Sequence, residues 1–343
     1  MKQRDPEWIM DADLLLADVA ERYYVRDLTQ EQIAREINVS RSNVSRMLKE
    51  ARVRGLVEIR IHHPMRTDPV LSAELAHRFD LRECLVLARP ADGADVSDEA
   101  TARRVGVLAA RYLDGRIADG DVVGVGWGST VYAVVTSGYL NPKPGGGVVQ
   151  LMGSMGGSTP DIDGAQVAGR LGRALESTVH YLHAPMVVTD SAVREGLLRD
   201  HHIRGTLEMA RRAAVMVVSV GAISERSGIY RAGYMGDADL EDLRRHGAAG
   251  DICGAYYSRG GQVLDLEIDA RVMAVSAGVM RRIALRVGVS WGTRKALANL
   301  GAVRSGLLNV LITDEAAART MLDLASREEG TAQAPTDPAP AGQ

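Results

Sequence analysis

The chain has 343 residues, 46% of them apolar, with 41 lysines and arginines against 44 aspartates and glutamates for a formal charge of −3. That length exceeds one small domain, and the apolar share supplies a sizeable core. The slight acidity argues against an indiscriminate nucleic-acid coat. No signal peptide opens the chain and no apolar stretch is long enough to span a bilayer, so a soluble cytoplasmic protein without a membrane partner is expected.

Leu14 to Tyr24 has the spacing of an amphipathic helix, with Leu15, Val19 and Tyr23 expected inward. Thr29 then stands as an N-cap, and Gln32 three places on completes a capping box. Ile33, Ala34 and Ile37 give a short second helix its inward face. Asn38 tolerates the left-handed conformation of a tight turn, and Val39 plugs the gap between helices. Ser40 caps a third helix whose apolar side is Val44, Met47, Leu48 and Ala51. Arg41, Ser42, Asn43, Ser45 and Arg46 are left on the other side, near its N-terminus. These side-chain types bond base edges and phosphates, arginine favouring guanine and asparagine adenine. Gly55 ends the helix, and Leu56 to Ile61 alternates as a wing strand should.

The run is therefore expected to be a winged helix-turn-helix that binds operator DNA, occupying residues 1–62. Local charge agrees. Residues 38–62 hold Arg41, Arg46, Lys49, Arg52, Arg54 and Arg60 against Glu50 and Glu58, while Asp11, Asp13, Asp18 and Glu21 line the first helix.

After a short linker from Pro64 to Pro69 and a helix from Val70 to Phe79, short apolar runs alternate with helical stretches. The expected strands are Cys84 to Leu87, Val122 to Val125, Val148 to Leu151, Val179 to Leu182, Val215 to Val220, Val272 to Ser276, Ile283 to Val289 and Leu307 to Ile312. Helices are expected at Asp98 to Gly115, Gly164 to Leu175, Arg204 to Ala214 and Thr293 to Ser305. The class is α/β: an all-α reader followed by a doubly wound, mainly parallel α/β domain over residues 63–326. From Arg327 periodicity disappears, so residues 327–343 are expected to form a disordered tail. Cys84 and Cys253 sit in separate apolar runs and read as buried free thiols.

Ligands of such sheets bind at the carboxyl ends of strands. The strongest candidate is Asp121 to Thr130, where an apolar strand enters the turn Gly126-Trp127-Gly128-Ser129-Thr130 and then a helix. Two glycines let the backbone approach an anion, and free N–H groups with two hydroxyls can hold phosphate oxygens. A plain strand-to-helix turn has the same outline. The spacing is neither the dinucleotide fingerprint nor a P-loop, and no cofactor is expected.

The turn resembles the phosphate loop of ribose-5-phosphate isomerases and glucosamine-6-phosphate deaminases. From about Leu14 to Ala325 the chain resembles the SorC family of bacterial sugar-responsive transcriptional regulators. The resemblance rests on that turn, Val149-Gln150-Leu151-Met152-Gly153, Gly250-Asp251-Ile252-Cys253-Gly254, Lys295 and Gly306 to Glu315. It implies a sensor of the sugar-phosphate-isomerase type, with a small carbohydrate or carbohydrate phosphate as effector. It also implies that Gly126, Trp127, Gly128, Ser129, Thr130 and Lys295 grip a phosphate. By the same resemblance, Met152, Gly153 and Gln166 are expected to line the sugar and Asp251 to accept its hydroxyls. Gln166 is equally readable as an exposed helix residue, and Asp251 as a turn cap.

Two departures narrow the effector. Ser290-Trp291-Gly292 replaces the two small residues usual before that lysine, and the strand end near Met152 lacks an arginine to clamp a second phosphate. A monophosphate, free sugar or polyol is expected rather than a bisphosphate. The sensor is expected to join readers into a homodimer or homotetramer on a two-fold operator. The alternative is an isomerase- or deaminase-type enzyme with Asp190, Asp251 or His183 shuttling protons. None of the three sits in a recognisable catalytic pattern, so no catalytic residue is expected. His180, His183, His201 and His202 match no standard metal-ligand spacing.

Overall fold

The computed structural model describes residues 7–57, 65–90, 96–156 and 162–332. The chain divides into two compact units, Met1–Pro64 and Met65–Gln343.

The first unit holds α1 (Glu7–Tyr24), α2 (Gln30–Glu36) and α3 (Arg41–Val53). The expected capping box is present, with the Thr29 hydroxyl accepting from the Gln32 amide and the Gln32 side chain accepting from the Thr29 amide at 2.9 Å. Asn38 turns the chain at φ 56°. Val19, Ile33, Val44 and Ala51 are fully enclosed, with Leu16, Ala20, Ala34 and Leu48 around them. Leu15 was expected inward but is 46% exposed. Leu16, Val19 and Ala20 carry the buried stripe, because 3.6-residue spacing places position 16, not 15, on the face of Val19 and Ala20. The wing strand to Ile61 falls, from residue 58 on, outside the described residues.

The second unit opens with α4 (Pro69–Arg78), β1 (Glu83–Leu87), α5 (Asp98–Asp114), β2 (Val122–Val125) and α6 (Ser129–Val135). Then come β3 (Gly147–Gln150), α7 (Gly164–Leu175), β4 (Thr178–His180), α8 (Ser191–Arg199), α9 (His201–Met209) and β5 (Val215–Ser219). They are followed by β6 (Gly221–Ala222), α10 (Gly228–Arg231), α11 (Asp237–Arg245), β7 (Ala248–Ile252) and β8 (Ala255–Ser258). The unit closes with α12 (Ala277–Met280), β9 (Leu285–Val289), α13 (Ala296–Arg304), β10 (Val310–Asp314) and α14 (Glu315–Ala332).

Seven strands form one parallel sheet in the order β1-β10-β9-β5-β2-β3-β4. Its central strands are apolar on both faces because helices cover both, as the continuous valine runs require. Two expectations are corrected, and one feature is new. Val272 to Ser276 joins no ladder and makes only isolated bridges, Val272 with Val187 and Ala274 with Met152. Residues 327–332 continue α14, whose Glu328 carboxylate bridges Arg259 and Arg304, the latter at 2.8 Å. A second sheet, β6-β7-β8, was not foreseen. Its β7–β8 hairpin turns through Cys253 (φ 51°) and Gly254 (φ 76°), and an αL cysteine carries none of the usual hairpin sequence signal.

Candidate functional site

On α3 the five expected DNA contacts, Arg41, Ser42, Asn43, Ser45 and Arg46, are all exposed, while Val44, Leu48 and Ala51 are buried behind them. The Ser40 hydroxyl accepts from the Asn43 amide at 3.2 Å and meets the Ser42 hydroxyl at 2.9 Å, fixing the first turn. Arg46 donates to the Asn43 side-chain oxygen at 2.7 Å, so two candidate base readers are held side by side. Lys49 and Arg52 extend the cationic face. Arg54 does not join it freely, because it is paired with Asp13 at 2.8 Å and with Glu50.

A cavity of about 690 Å³ opens at the carboxyl ends of β2, β5 and β9. Its first wall is the turn after β2. Gly128 sits at φ 127°, and a Cβ there would lie 2.8 Å from the Ser219 hydroxyl, so the turn admits only glycine. Thr130 is buried against the cavity and Ser129 is exposed at its rim. Trp127 anchors the turn by donating its indole N–H to the Gly153 carbonyl at 3.1 Å.

The second wall comes from β7 and from the turn after β9. Asp251 is 9% exposed and accepts from the Gly254 amide at 3.1 Å. Its carboxylate packs so closely on β6 that a Cβ on Gly221 would fall 1.8 Å from Oδ1. Burial raises the Asp251 carboxyl above its ordinary value, against the opposing pull of the Gly254 amide and the Lys295 charge. Lys295 lies on the short 3-10 turn Thr293–Lys295 and donates from Nζ to the Val220 carbonyl at 2.6 Å. Burial lowers the Lys295 ammonium, Asp251 raises it and Arg294 lowers it further. Each member of this acid–base pair offsets part of the other's desolvation.

Gly126, Trp127, Gly128, Ser129, Thr130, Met152, Asp251 and Lys295 thus share one cavity, as does half-buried Trp291. Gly153 stands behind the wall, its carbonyl holding Trp127 and its α-carbon pressed on Pro185. Gln166 is exposed on α7 and is not among the described residues that line the cavity. The face of α7 turned to the core is Val167, Ala168 and Leu171, and position 166 falls off that stripe. The buried amide nearby is Gln150, whose Nε2 donates to Met152 O at 2.8 Å and to Ser154 Oγ at 3.1 Å.

Sequence reasoning missed the segment after β6, where Ser224, Arg226 and Ser227 of the loop and Arg231 of α10 line the cavity. Its position beyond the carboxyl end of β5 was the available signal. It also missed Asp98 and Arg294, which line the mouth and pair at 3.3 Å. Asp190 accepts from the Val193 amide at 2.9 Å as the cap of α8, and His183 is exposed. Neither lines the cavity, so of the three residues considered as proton shuttles only Asp251 stands there.

Residues 64–323 match the sugar-binding domain family and residues 12–67 the Crp-like helix-turn-helix domain. The chain is 30% identical over 310 residues to the deoxyribonucleoside regulator of Bacillus subtilis (strain 168), spanning 90% of this chain and 97% of that protein. It is 26% identical over 312 residues to the sorbitol operon regulator of Klebsiella pneumoniae, spanning 90% and 97%. The crystal structure of that full-length regulator, SorC, superposes with a TM-score of 0.68 at 25% identity, covering 91% of this chain and 99% of that one. A helix-turn-helix unit followed by a carbohydrate-sensing α/β unit, matched over nine-tenths of the chain, makes this protein a member of the SorC family of transcriptional regulators.

Proposed function

We propose that this regulator reads its operator with the N-terminal half of α3 and is controlled by a small carbohydrate, as a free sugar, polyol or monophosphate, held in the cavity at the sheet's carboxyl end. One observation carries the effector assignment. The Gly126–Thr130 turn and the Lys295 ammonium, from distant parts of the chain, converge on one cavity together with the buried Asp251 carboxylate. Main-chain amides, a hydroxyl and a cation suit an oxyanion, and a buried carboxylate suits sugar hydroxyls. Arginine and asparagine on the exposed side of α3 suit base edges in the major groove.

The effector acts by its differential affinity for two arrangements of the protein, and its identity sets the response. Readers are brought together as a homodimer or homotetramer, so that two α3 helices meet half-sites roughly 34 Å apart on one DNA face. The protein acts on the operator in the cytoplasm.

Thermal shift of the full chain against ribose 5-phosphate, glucose 6-phosphate, the parent sugars and polyols tests the effector assignment. A ligand specific to the cavity raises Tm in a concentration-dependent way, about 2.7 kcal/mol of stabilisation at a hundredfold excess over Kd. Thr130→Val, which keeps the shape of the wall and loses its hydroxyl, reduces that shift. Should no compound move Tm, or should Thr130→Val respond as the wild type does, the cavity is not the effector site as described.

A further inference from the structure

The residues that lead into the sensor do not simply pass it by. Met65 to Asp68 run antiparallel to the end of β1, an edge strand of the large sheet. The Asp68 amide donates to the Val86 carbonyl at 2.8 Å, the Ala88 amide donates to the Arg66 carbonyl at 2.9 Å, and Thr67 bridges to Leu87. Directly at this clip, two sets of polar contacts arrive from the cavity. In the first, the Arg89 amide donates to the Glu315 carboxylate at 3.1 Å, and the adjoining Asp314 carboxylate accepts from the Gly292 amide at 2.6 Å. Gly292 is part of the cavity wall. In the second, Arg104 on α5 donates to the Ala88 carbonyl at 3.4 Å, and α5 begins at Asp98, whose carboxylate meets Arg294 at the cavity mouth.

We infer that effector binding is transmitted to the DNA reader through the pairing of the Met65–Asp68 linker with β1, by way of Gly292–Asp314–Glu315–Arg89 and Arg294–Asp98–α5–Ala88. The inference rests on the cavity being the effector site. An anion on Lys295 lies one residue from Arg294 and competes with Asp98 for its guanidinium. A ligand against Trp291 and Gly292 also shifts the amide that Asp314 holds. Both events end at the same two residues, Ala88 and Arg89. The clip itself is small, two main-chain hydrogen bonds backed by the Ser72 hydroxyl, which accepts from the Val86 amide at 3.0 Å and donates to the Asp68 carbonyl at 2.6 Å. The other edge of the strand is paired with β10 along its whole length, so the clip opens without unfolding β1. Local opening of this kind supplies the two-state element that coupling between distant sites requires.

Amide hydrogen exchange on the full-length protein tests this directly, and its first comparison requires no ligand. Glu315→Ala removes the Arg89 acceptor, and Arg294→Ala removes the pair at the mouth. Both variants are expected to speed exchange at the Asp68 and Ala88 amides severalfold while the Leu311 amide in β10, a monitor of global stability, stays at its wild-type rate. Arg245→Ala, an exposed change on α11, is expected to leave all three unchanged. Ribose 5-phosphate serves as the cavity probe: it alters exchange at Asp68 and Ala88 in the wild type and not in Glu315→Ala, although calorimetry shows both binding it. Linker amides that ignore both variants, or that ignore bound ribose 5-phosphate in the wild type, overturn the inference. Absence of any binding by sugars or their phosphates defeats the effector assignment instead, and the variant comparison then decides the coupling by itself.

Discussion

Lys295 donates from its ammonium to the main-chain carbonyl of Val220 at 2.6 Å, tying the turn after β9 to the end of the neighbouring strand β5. The contact fixes a cation at the cavity wall that would otherwise sweep a wide volume, and it leaves two of the three ammonium protons for a ligand. Replacing the charge without shortening the side chain isolates this role. Lys295→Met is expected to weaken a phosphorylated effector by roughly 1.5–3 kcal/mol, the range for hydrogen bonds to charged groups, and to affect the unphosphorylated sugar much less. Isothermal titration with each pair of compounds checks it. Equal losses for both would remove Lys295 from the phosphate grip.

Burial holds the Asp251 carboxyl above its ordinary value of 3.8. The folded chain therefore keeps this proton in a window just above 3.8 where the unfolded chain has lost it, and stability falls as pH rises through that window. Lys295 behaves in the opposite sense. Its value is lowered from 10.5, so the folded chain gives up the proton first and stability falls as pH drops from 10.5 toward the folded value. Urea midpoints measured from about pH 4 upward should show a shallower acidic-range decline in Asp251→Asn than in the wild type. Parallel profiles would mean that Asp251 titrates as it does in the unfolded chain.

The Ser40 hydroxyl caps the first turn of α3, accepting from the Asn43 amide at 3.2 Å. Ser40→Ala is expected to destabilise the helix by about 1 kcal/mol, the usual loss for an N-cap serine. Faster amide exchange at Val44 and Leu48, both buried against α1 and α2, would report it. Unchanged rates there would show that the cap contributes nothing measurable.

Arg41→Ala and Asn43→Ala separate reading from holding. Each is expected to cost roughly 1–3 kcal/mol on the matched operator and less on a site mutated at the contacted base. Fluorescence anisotropy on both DNAs gives the comparison. A uniform loss across sequences would place these side chains on phosphates alone.

Much of this architecture was legible because local chemistry and tertiary structure agree at the relevant residues. Thr29, Asn38 and Ser40 are caps and turns whose side chains choose the conformation, and each does so in the fold. The parallel strands announce themselves as valine runs because both sheet faces are covered. The glycine turn after β2 was legible because φ 127° at position 128 excludes every other residue. What escaped depended on partners distant in sequence. The β7–β8 hairpin turns on an αL cysteine that no turn rule selects, and β7 is rich in alanine and glycine. Gln166 was carried over from the family resemblance, whereas its exposure is decided by the register of α7 on the sheet. The pairing of Asp98 with Arg294, 196 positions apart, has no local signature. Residues 327–332 lack apolar periodicity, yet Arg78, Arg259 and Arg304 engage Glu329 and Glu328 and extend α14 beyond Arg327.

The most direct measurement is the affinity of the full-length protein for fluorescent DNA from upstream of its own gene, titrated with and without sugars, polyols and their phosphates. The account predicts saturable, sequence-selective binding whose Kd changes with one of these compounds, and a change that Thr130→Val or Lys295→Met diminishes. Protein that leaves this DNA unbound under every condition, or binds it with a Kd indifferent to all of the compounds, would contradict it.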